Sequence, residues 1–115
     1  MKKFDYLLSI LKKLNLPEGK FAVYGSAPLV VVGMINDVND FDVIISPLVW
    51  GNGEDKEFKN EDFEFFNNWP DEDVDDLIDN HSFLYNGVLF VNPKKVIEYK
   101  KRMGREKDSD IWNNL

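Results

Sequence analysis

The chain has no cysteine and no long apolar segment. Without cysteine, its 115 residues can form neither disulfides nor thiolate metal sites. Its longest apolar runs, such as residues 29–32, are far too short to cross a bilayer. The first residues lack the hydrophobic region and cleavage pattern of a signal peptide. We therefore expect a cytoplasmic protein with no membrane partner.

Basic residues are also in short supply. The chain has 14 Lys and Arg but 21 Asp and Glu, which gives a net charge of −7. This balance argues against non-specific binding to nucleic acid, because neutralising phosphates requires cationic side chains. Residues 61–80 hold nine acidic and no basic residues, whereas residues 94–107 hold seven of the fourteen cations. Either these are two solvated faces, or the basic segment folds over an acidic, metal-loaded site and contacts phosphate.

The hydrophobic pattern predicts one α+β domain over residues 1–115, with a short mixed sheet flanked by helices. Helical spacing of apolar residues predicts helices over residues 4–14, 27–34, 74–78 and 93–103. Short apolar or β-branched segments predict strands over residues 20–24, 41–46 and 63–66. Asn86-Gly87 predicts a hairpin within residues 82–91. Residues 51–60 are interpreted as a mobile loop.

Capping signals support the two best-defined helix boundaries. Asn92 before Pro93 is typical of a helix start, and Gly104 is typical of a helix end. Ser26 is the expected N-cap of the helix that begins at residue 27. These positions place one helix start directly after the strand that ends at Tyr24.

Asp40 and Asp42 form the strongest candidate metal site. Their spacing on a predicted strand directs both carboxylates to one face, with Cα atoms about 6.5–7 Å apart. Magnesium prefers oxygen ligands and keeps several waters, so two carboxylates and substrate phosphates suffice to hold it. Asp-x-Asp pairs also arise by chance in such an acidic chain. This pair differs because it lies at the start of an apolar strand.

Gly25-Ser26 lies at a predicted strand-to-helix turn. Free N–H groups and a partial positive charge at a helix N-terminus suit a phosphate. A structural turn would need the same small residue and N-cap. The sequence around it matches neither a Walker loop nor a dinucleotide fingerprint, because the Lys-Ser/Thr pair and the glycine spacing are absent.

Together these motifs resemble the nucleotidyltransferase superfamily, which has the fold of the DNA polymerase beta catalytic domain. The superfamily carries Gly-Ser at a strand-to-helix turn, an acidic-x-acidic strand, and a third acidic residue on a neighbouring strand. Here these correspond to Gly25 and Ser26, to Asp40 and Asp42, and to Glu64. The resemblance implies that the three carboxylates are catalytic and bind Mg²⁺ or Mn²⁺. It also implies that a nucleoside triphosphate binds at Gly25-Ser26.

The resemblance continues at the C-terminus. Small, antitoxin-like members often end in a hairpin and a Lys-x-x-x-Gly-Arg-x-Lys-Asp segment. This chain has Lys100, Gly104, Arg105, Lys107 and Asp108 at those positions. Lys100, Arg105 and Lys107 are therefore implied nucleotide ligands. From the residues alone, Lys100 lies on an apolar helix face, where it either reaches out to water or meets carboxylates or phosphate.

The implied activity is transfer of a nucleoside monophosphate from a triphosphate to an unidentified hydroxyl acceptor. Two alternatives remain: an antitoxin-like interaction module without catalysis, and a domain that binds nucleotide without turnover. A partner protein or a homodimer could complete the site of so short a chain. Two aromatic candidates have simpler interpretations: His81 as a hairpin residue, and Trp69 as a packing group, with base stacking as its alternative.

Overall fold

The computed structural model describes residues 2–50, 57–59 and 61–104, which form four helices and six strands. The helices are α1 (Lys3–Lys13), α2 (Ala27–Val31), α3 (Val74–Asn80) and α4 (Pro93–Met103). The strands are β1 (Phe21–Tyr24), β2 (Phe41–Ile45), β3 (Glu57–Lys59), β4 (Phe63–Phe66), β5 (Ser82–Tyr85) and β6 (Val88–Val91).

The strands form one mixed sheet in the order β3-β4-β2-β1-β6-β5. β1 pairs antiparallel with β2 and parallel with β6, while β2 pairs parallel with β4. The outer strands β3 and β5 pair antiparallel with β4 and β6. The predicted α+β class, with a short mixed sheet flanked by helices, is confirmed.

Each face of the sheet buries its own apolar cluster. The alternation along β1 sends Val23 to the side of α1 and sends Ala22 and Tyr24 to the side of α3 and α4. On the α1 side, the core is built from phenylalanine rings together with leucines at helical spacing (Phe4, Leu7, Leu8, Leu11, Phe41, Phe90). The opposite side is the one that carries the candidate site.

Hydrogen bonds fix the helix boundaries that matter for the site. Asn92 accepts a bond from the Lys94 amide, and Gly104 takes a left-handed φ of 64°, as both capping signals predict. Helix α1 has a distant cap, since the Asp37 carboxylate accepts bonds from the amides of Lys3 and Phe4 at 2.9 and 2.8 Å. The loop before β2 is thereby tied to the first helix.

Two predicted segments differ from the structure. Helix α2 stops at Val31 rather than residue 34, because Gly33 adopts φ 78° and the Met34 amide bonds back to the Leu29 carbonyl at 2.9 Å. Part of the predicted loop over residues 51–60 is strand β3, which pairs with β4 through its backbone and has no alternating apolar pattern. The predicted mobility of residues 51–56 and 60 lies outside the described residues.

Across residues 2–50, 57–59 and 61–104, no helix has the length and apolar character that spanning a membrane requires. Helices α1 and α4, at 11 residues each, are the longest.

Candidate metal and phosphate site

Three carboxylates converge where β2 and β4 lie side by side. Their parallel pairing sets Asp42 opposite Glu64, and Asp40 precedes Asp42 by two residues. One carboxylate oxygen from each of Asp40, Asp42 and Glu64 lies within 4.8 Å of the other two. The sequence identified all three residues, and the parallel register supplies the contact that sequence alone could not specify.

The donor set fits a hard divalent cation. Carboxylate oxygens are the ligands that Mg²⁺ and Mn²⁺ prefer. At a metal–oxygen distance of about 2.1 Å, opposite ligands of an octahedron lie about 4.2 Å apart, so small side-chain rotations would close this cluster. Asp40 is exposed, whereas Asp42 and Glu64 are half-buried. The cluster is therefore open to solvent on one side, where a phosphate could complete the coordination.

Gly25 borders this cluster at the end of β1. It adopts φ 66°, and a Cβ added there would lie 2.5 Å from Oδ2 of Asp42. Both the left-handed backbone and the close approach of the carboxylate require glycine. The turn that was predicted to bind phosphate thus lies against Asp42, one of the two predicted metal ligands.

Ser26 occupies the N-cap position of α2, but its side chain makes no capping hydrogen bond. The predicted hydroxyl cap is therefore wrong, because Ser26 has helical backbone angles of φ −86° and ψ −14° instead of the extended conformation that capping requires. The helix behind it spans only five residues. Any phosphate contact here would come from the turn itself more than from a helix dipole.

Residues of these motifs line one cleft of about 520 Å³. Its polar lining includes Gly25, Ser26, the three clustered carboxylates and Lys100. The remaining wall combines the polar Asp37 and Asn39 with apolar and aromatic side chains (Ile35, Val38, Phe66, Trp69, Tyr99). The sequence motifs, which lie as far apart as residues 25 and 100, thus share a single cavity.

Lys100 is the most deeply buried charged residue that lines this cleft, with 2% of its surface exposed. This burial rules out the interpretation in which its ammonium group reaches out to water. Burial of a charged ammonium is costly unless charged or polar groups surround it. The location of Lys100, in the same cavity as the three clustered carboxylates and Asp37, agrees with the second interpretation.

Trp69 packs within the protein. Its ring stacks on Tyr24 with centroids 4.3 Å apart, meets the edge of Phe66 at 5.1 Å, and is only 7% exposed. One ring face is therefore already covered, which supports the packing interpretation over stacking on a base. Its buried indole N–H has no hydrogen-bond acceptor within the described part of the chain.

Glu72 and Tyr24 form a polar junction that the sequence did not reveal. The Tyr24 hydroxyl donates to Glu72 Oε2 at 2.8 Å. Burial, followed by this bond to a carboxylate, raises the pKa of the Tyr24 phenol far above its usual value. Lys95 and Arg102 of α4 also pair with Glu72, so the basic segment does fold onto the acidic one. No signal distinguished Glu72 from the other acidic residues around it.

The remaining residues singled out by the sequence lie outside this cleft or outside the described part of the chain. His81, predicted as a hairpin residue, is the C-cap of α3 directly before the β5–β6 hairpin, and its Nε2 lies 3.3 Å from Oδ2 of Asp76. Arg105, Lys107 and Asp108 lie outside the described residues.

Comparisons of the chain with family models, with curated proteins and with solved structures give no match. The resemblance to nucleotidyltransferases accordingly rests on the motifs themselves.

Proposed function

We propose that this chain is a metal-dependent nucleotidyltransferase that acts in the cytoplasm, where magnesium nucleoside triphosphates are abundant. One observation carries the proposal: the carboxylates of Asp40, Asp42 and Glu64 meet beside the Gly25-Ser26 turn, in a cleft that also contains Lys100. A metal-binding triad, a backbone turn and a buried cation are together suited to a triphosphate.

Asp40, Asp42 and Glu64 would hold Mg²⁺ or Mn²⁺, which would supply Lewis-acid stabilisation of the attacking and leaving oxygens. In the transfer, the acceptor oxygen forms a bond to the α-phosphorus as the bond to the bridging oxygen breaks. Pyrophosphate leaves, and the hydroxyl proton passes to the Glu64 carboxylate. Placed across the strand pair from Asp42, Glu64 is the proposed base.

Lys100 would bind the triphosphate from the wall of the cleft, because it is a buried cation among the residues that line the cavity. A buried cation attracts phosphate more strongly than an exposed one, since the surroundings screen less. Arg105 and Lys107 are proposed as further phosphate ligands on the basis of the motif alone.

Labelled triphosphates test the proposal. Wild-type protein with Mg²⁺ and a cell extract should transfer label from the α-phosphate to an acceptor, and Asp42→Asn should not. Asp71→Asn is a suitable control, because Asp71 is an exposed acidic residue that does not line the cleft. Absence of binding to any triphosphate at millimolar concentration with Mg²⁺ would contradict the proposal.

A second candidate is an interaction module without catalysis, similar to an antitoxin. The observation that favours it is the exposed acidic surface on and before α3 (Asp71, Asp73, Asp76, Asp79). Such a surface suits a basic partner protein. This candidate requires no nucleotide transfer, so the labelling experiment separates the two.

A further inference from the structure

Glu72 holds helix α4 at two points. Its Oε1 lies 3.6 Å from Nζ of Lys95, and its Oε2 lies 3.5 Å from a guanidinium nitrogen of Arg102. Lys95 and Arg102 are seven residues apart, which is close to two helical turns, so they lie on one face of α4. The Glu72 side chain, which is 9% exposed, therefore pairs with α4 near both of its ends.

The same carboxylate reaches the sheet. The Tyr24 hydroxyl donates to Glu72 at 2.8 Å, and Tyr24 is the last residue of β1, directly before Gly25. Glu72 thus connects the strand end at the candidate phosphate turn with the helix that carries Lys100. The Trp69 ring, which stacks on Tyr24 and meets Tyr99 at a tilt, packs beside this connection.

This connection bears on the rotation of α4 about its own axis. Lys100 and Val96 are four residues apart and form the buried face of the helix, whereas Lys95 and Arg102 form the neighbouring face. Because successive residues differ by about 100° around the helix, holding one face determines where the other points. A helix released from Glu72 could roll and draw the Lys100 ammonium away from the cleft.

We propose that Glu72 is a positioning residue, which sets the rotation of α4 so that Lys100 points into the triphosphate cleft. This inference rests on the proposed function for its purpose, but its geometric part can be tested without any nucleotide.

The first experiment measures access to Lys100 in Glu72→Gln, which keeps the size of the side chain and an acceptor for Tyr24. Acetic anhydride labelling, followed by mass spectrometry, compares Lys100 with the exposed Lys94 in the same chain. Acetylation of Lys100 relative to Lys94 should rise about fivefold or more in Glu72→Gln, as local opening exposes buried groups. Glu98→Gln, which removes an exposed charge from the same helix, should leave the ratio unchanged.

The second experiment measures binding of magnesium ATP and of Mn²⁺ alone in Glu72→Gln, Lys100→Met and the double variant. Glu72→Gln should weaken ATP binding about fivefold and leave Mn²⁺ binding within about twofold. In the Lys100→Met background, Glu72→Gln should cause no further loss of ATP binding. A stabilising ion pair with no positioning role would give the same loss in both backgrounds.

If Glu72→Gln does not fold, Arg102→Gln can replace it in both experiments, because it removes only the ion pair between Arg102 and Glu72. An unchanged Lys100 labelling ratio in a folded variant would overturn the inference. If wild-type protein binds no ATP but Lys100 labelling rises as expected, the proposed function fails and the positioning by Glu72 stands.

Discussion

The carboxylate of Asp42 lies against the backbone of Gly25, so closely that a Cβ at Gly25 would be 2.5 Å from Oδ2. The antiparallel pairing of β1 and β2 causes this approach, since it sets Tyr24 opposite Asp42 and carries the chain across the acidic side chain immediately afterwards. The turn and the metal pair are one structural unit, which gives the first prediction.

Gly25→Ala should displace the Asp42 carboxylate and weaken Mn²⁺ binding by about tenfold or more, as expected for a disturbed metal ligand. Isothermal titration with Mn²⁺ measures this effect. Gly19→Ala is the matched control, because Gly19 has a similar φ of 76° but no atom within 4 Å of an added Cβ. Equal Mn²⁺ affinity in the two variants would show that the contact with Asp42 has no bearing on metal binding.

Replacing Asp40 and Asp42 together by Asn should abolish the thermal response to divalent cations. With wild-type protein, metal at 100 times its dissociation constant should add about 2.7 kcal/mol to the free energy of unfolding. Without metal, the double variant should be at least as stable as wild type, because the carboxylates within 4.8 Å no longer repel. Thermal melts with and without Mg²⁺ or Mn²⁺ measure both effects, and a retained metal response would remove this site from consideration.

Lys100→Met should separate nucleotide binding from folding. Methionine preserves an apolar stem at a site that is 2% exposed, and the carboxylates that share the cleft are themselves exposed or half-buried, so removing the cation leaves no fully buried carboxylate behind. We expect the free energy of unfolding to change by less than about 1 kcal/mol. Affinity for magnesium ATP should fall about tenfold, which is about 1.4 kcal/mol. A large loss of stability with unchanged ATP affinity would assign Lys100 a purely structural role.

Asp37 should make stability depend on acid pH. Hydrogen bonds from backbone amides, that of Phe4 foremost, hold the pKa of Asp37 below its ordinary value of 3.8. A lowered pKa in the folded state stabilises the protein above the unfolded pKa, and this stabilisation is lost as the pH falls through the folded value. Asp37→Asn should therefore melt below wild type at pH 7, with a difference that shrinks below about pH 4. Urea unfolding across this range measures it, and a constant difference would contradict the assignment.

Tyr24→Phe should lower the free energy of unfolding by about 1–2 kcal/mol at neutral pH, because Glu72 loses a buried donor. Burial and the bond to Glu72 raise the pKa of the Tyr24 phenol, so the folded state favours the neutral form. Its stabilisation is present below the unfolded pKa of about 10 and is lost as the pH rises above it. Stability of wild type should thus fall more steeply than that of Tyr24→Phe above about pH 10 in denaturant titrations. Parallel curves would contradict this role.

Local signals predicted most of the secondary structure and singled out Asp40 and Asp42, whereas Glu64 came from the family resemblance. Strands β1, β2 and β4 carry strong apolar patterns, and the spacing of Asp40 and Asp42 fixes their shared face in any strand. Strand order could not be predicted, because the parallel pairing of β1 with β6 depends on packing between distant residues. The role of Glu72 could not be predicted for a related reason, because its partners Tyr24 and Arg102 lie 48 and 30 residues away in the sequence.

Because of the parallel register of β2 and β4, packing of the hydrophobic core also keeps the acidic cluster in register. Phe63 and Phe65 alternate with Glu64 and face the α1 side, so a slip of one residue would exchange their places with the carboxylate. Such a slip would turn the buried Phe63 toward the cleft, at roughly 1.5–3 kcal/mol for a fully buried ring, and would bury a charge among apolar groups. Misaligned chains are therefore disfavoured during folding by lost apolar burial and by burial of the charge, before any metal or nucleotide is bound.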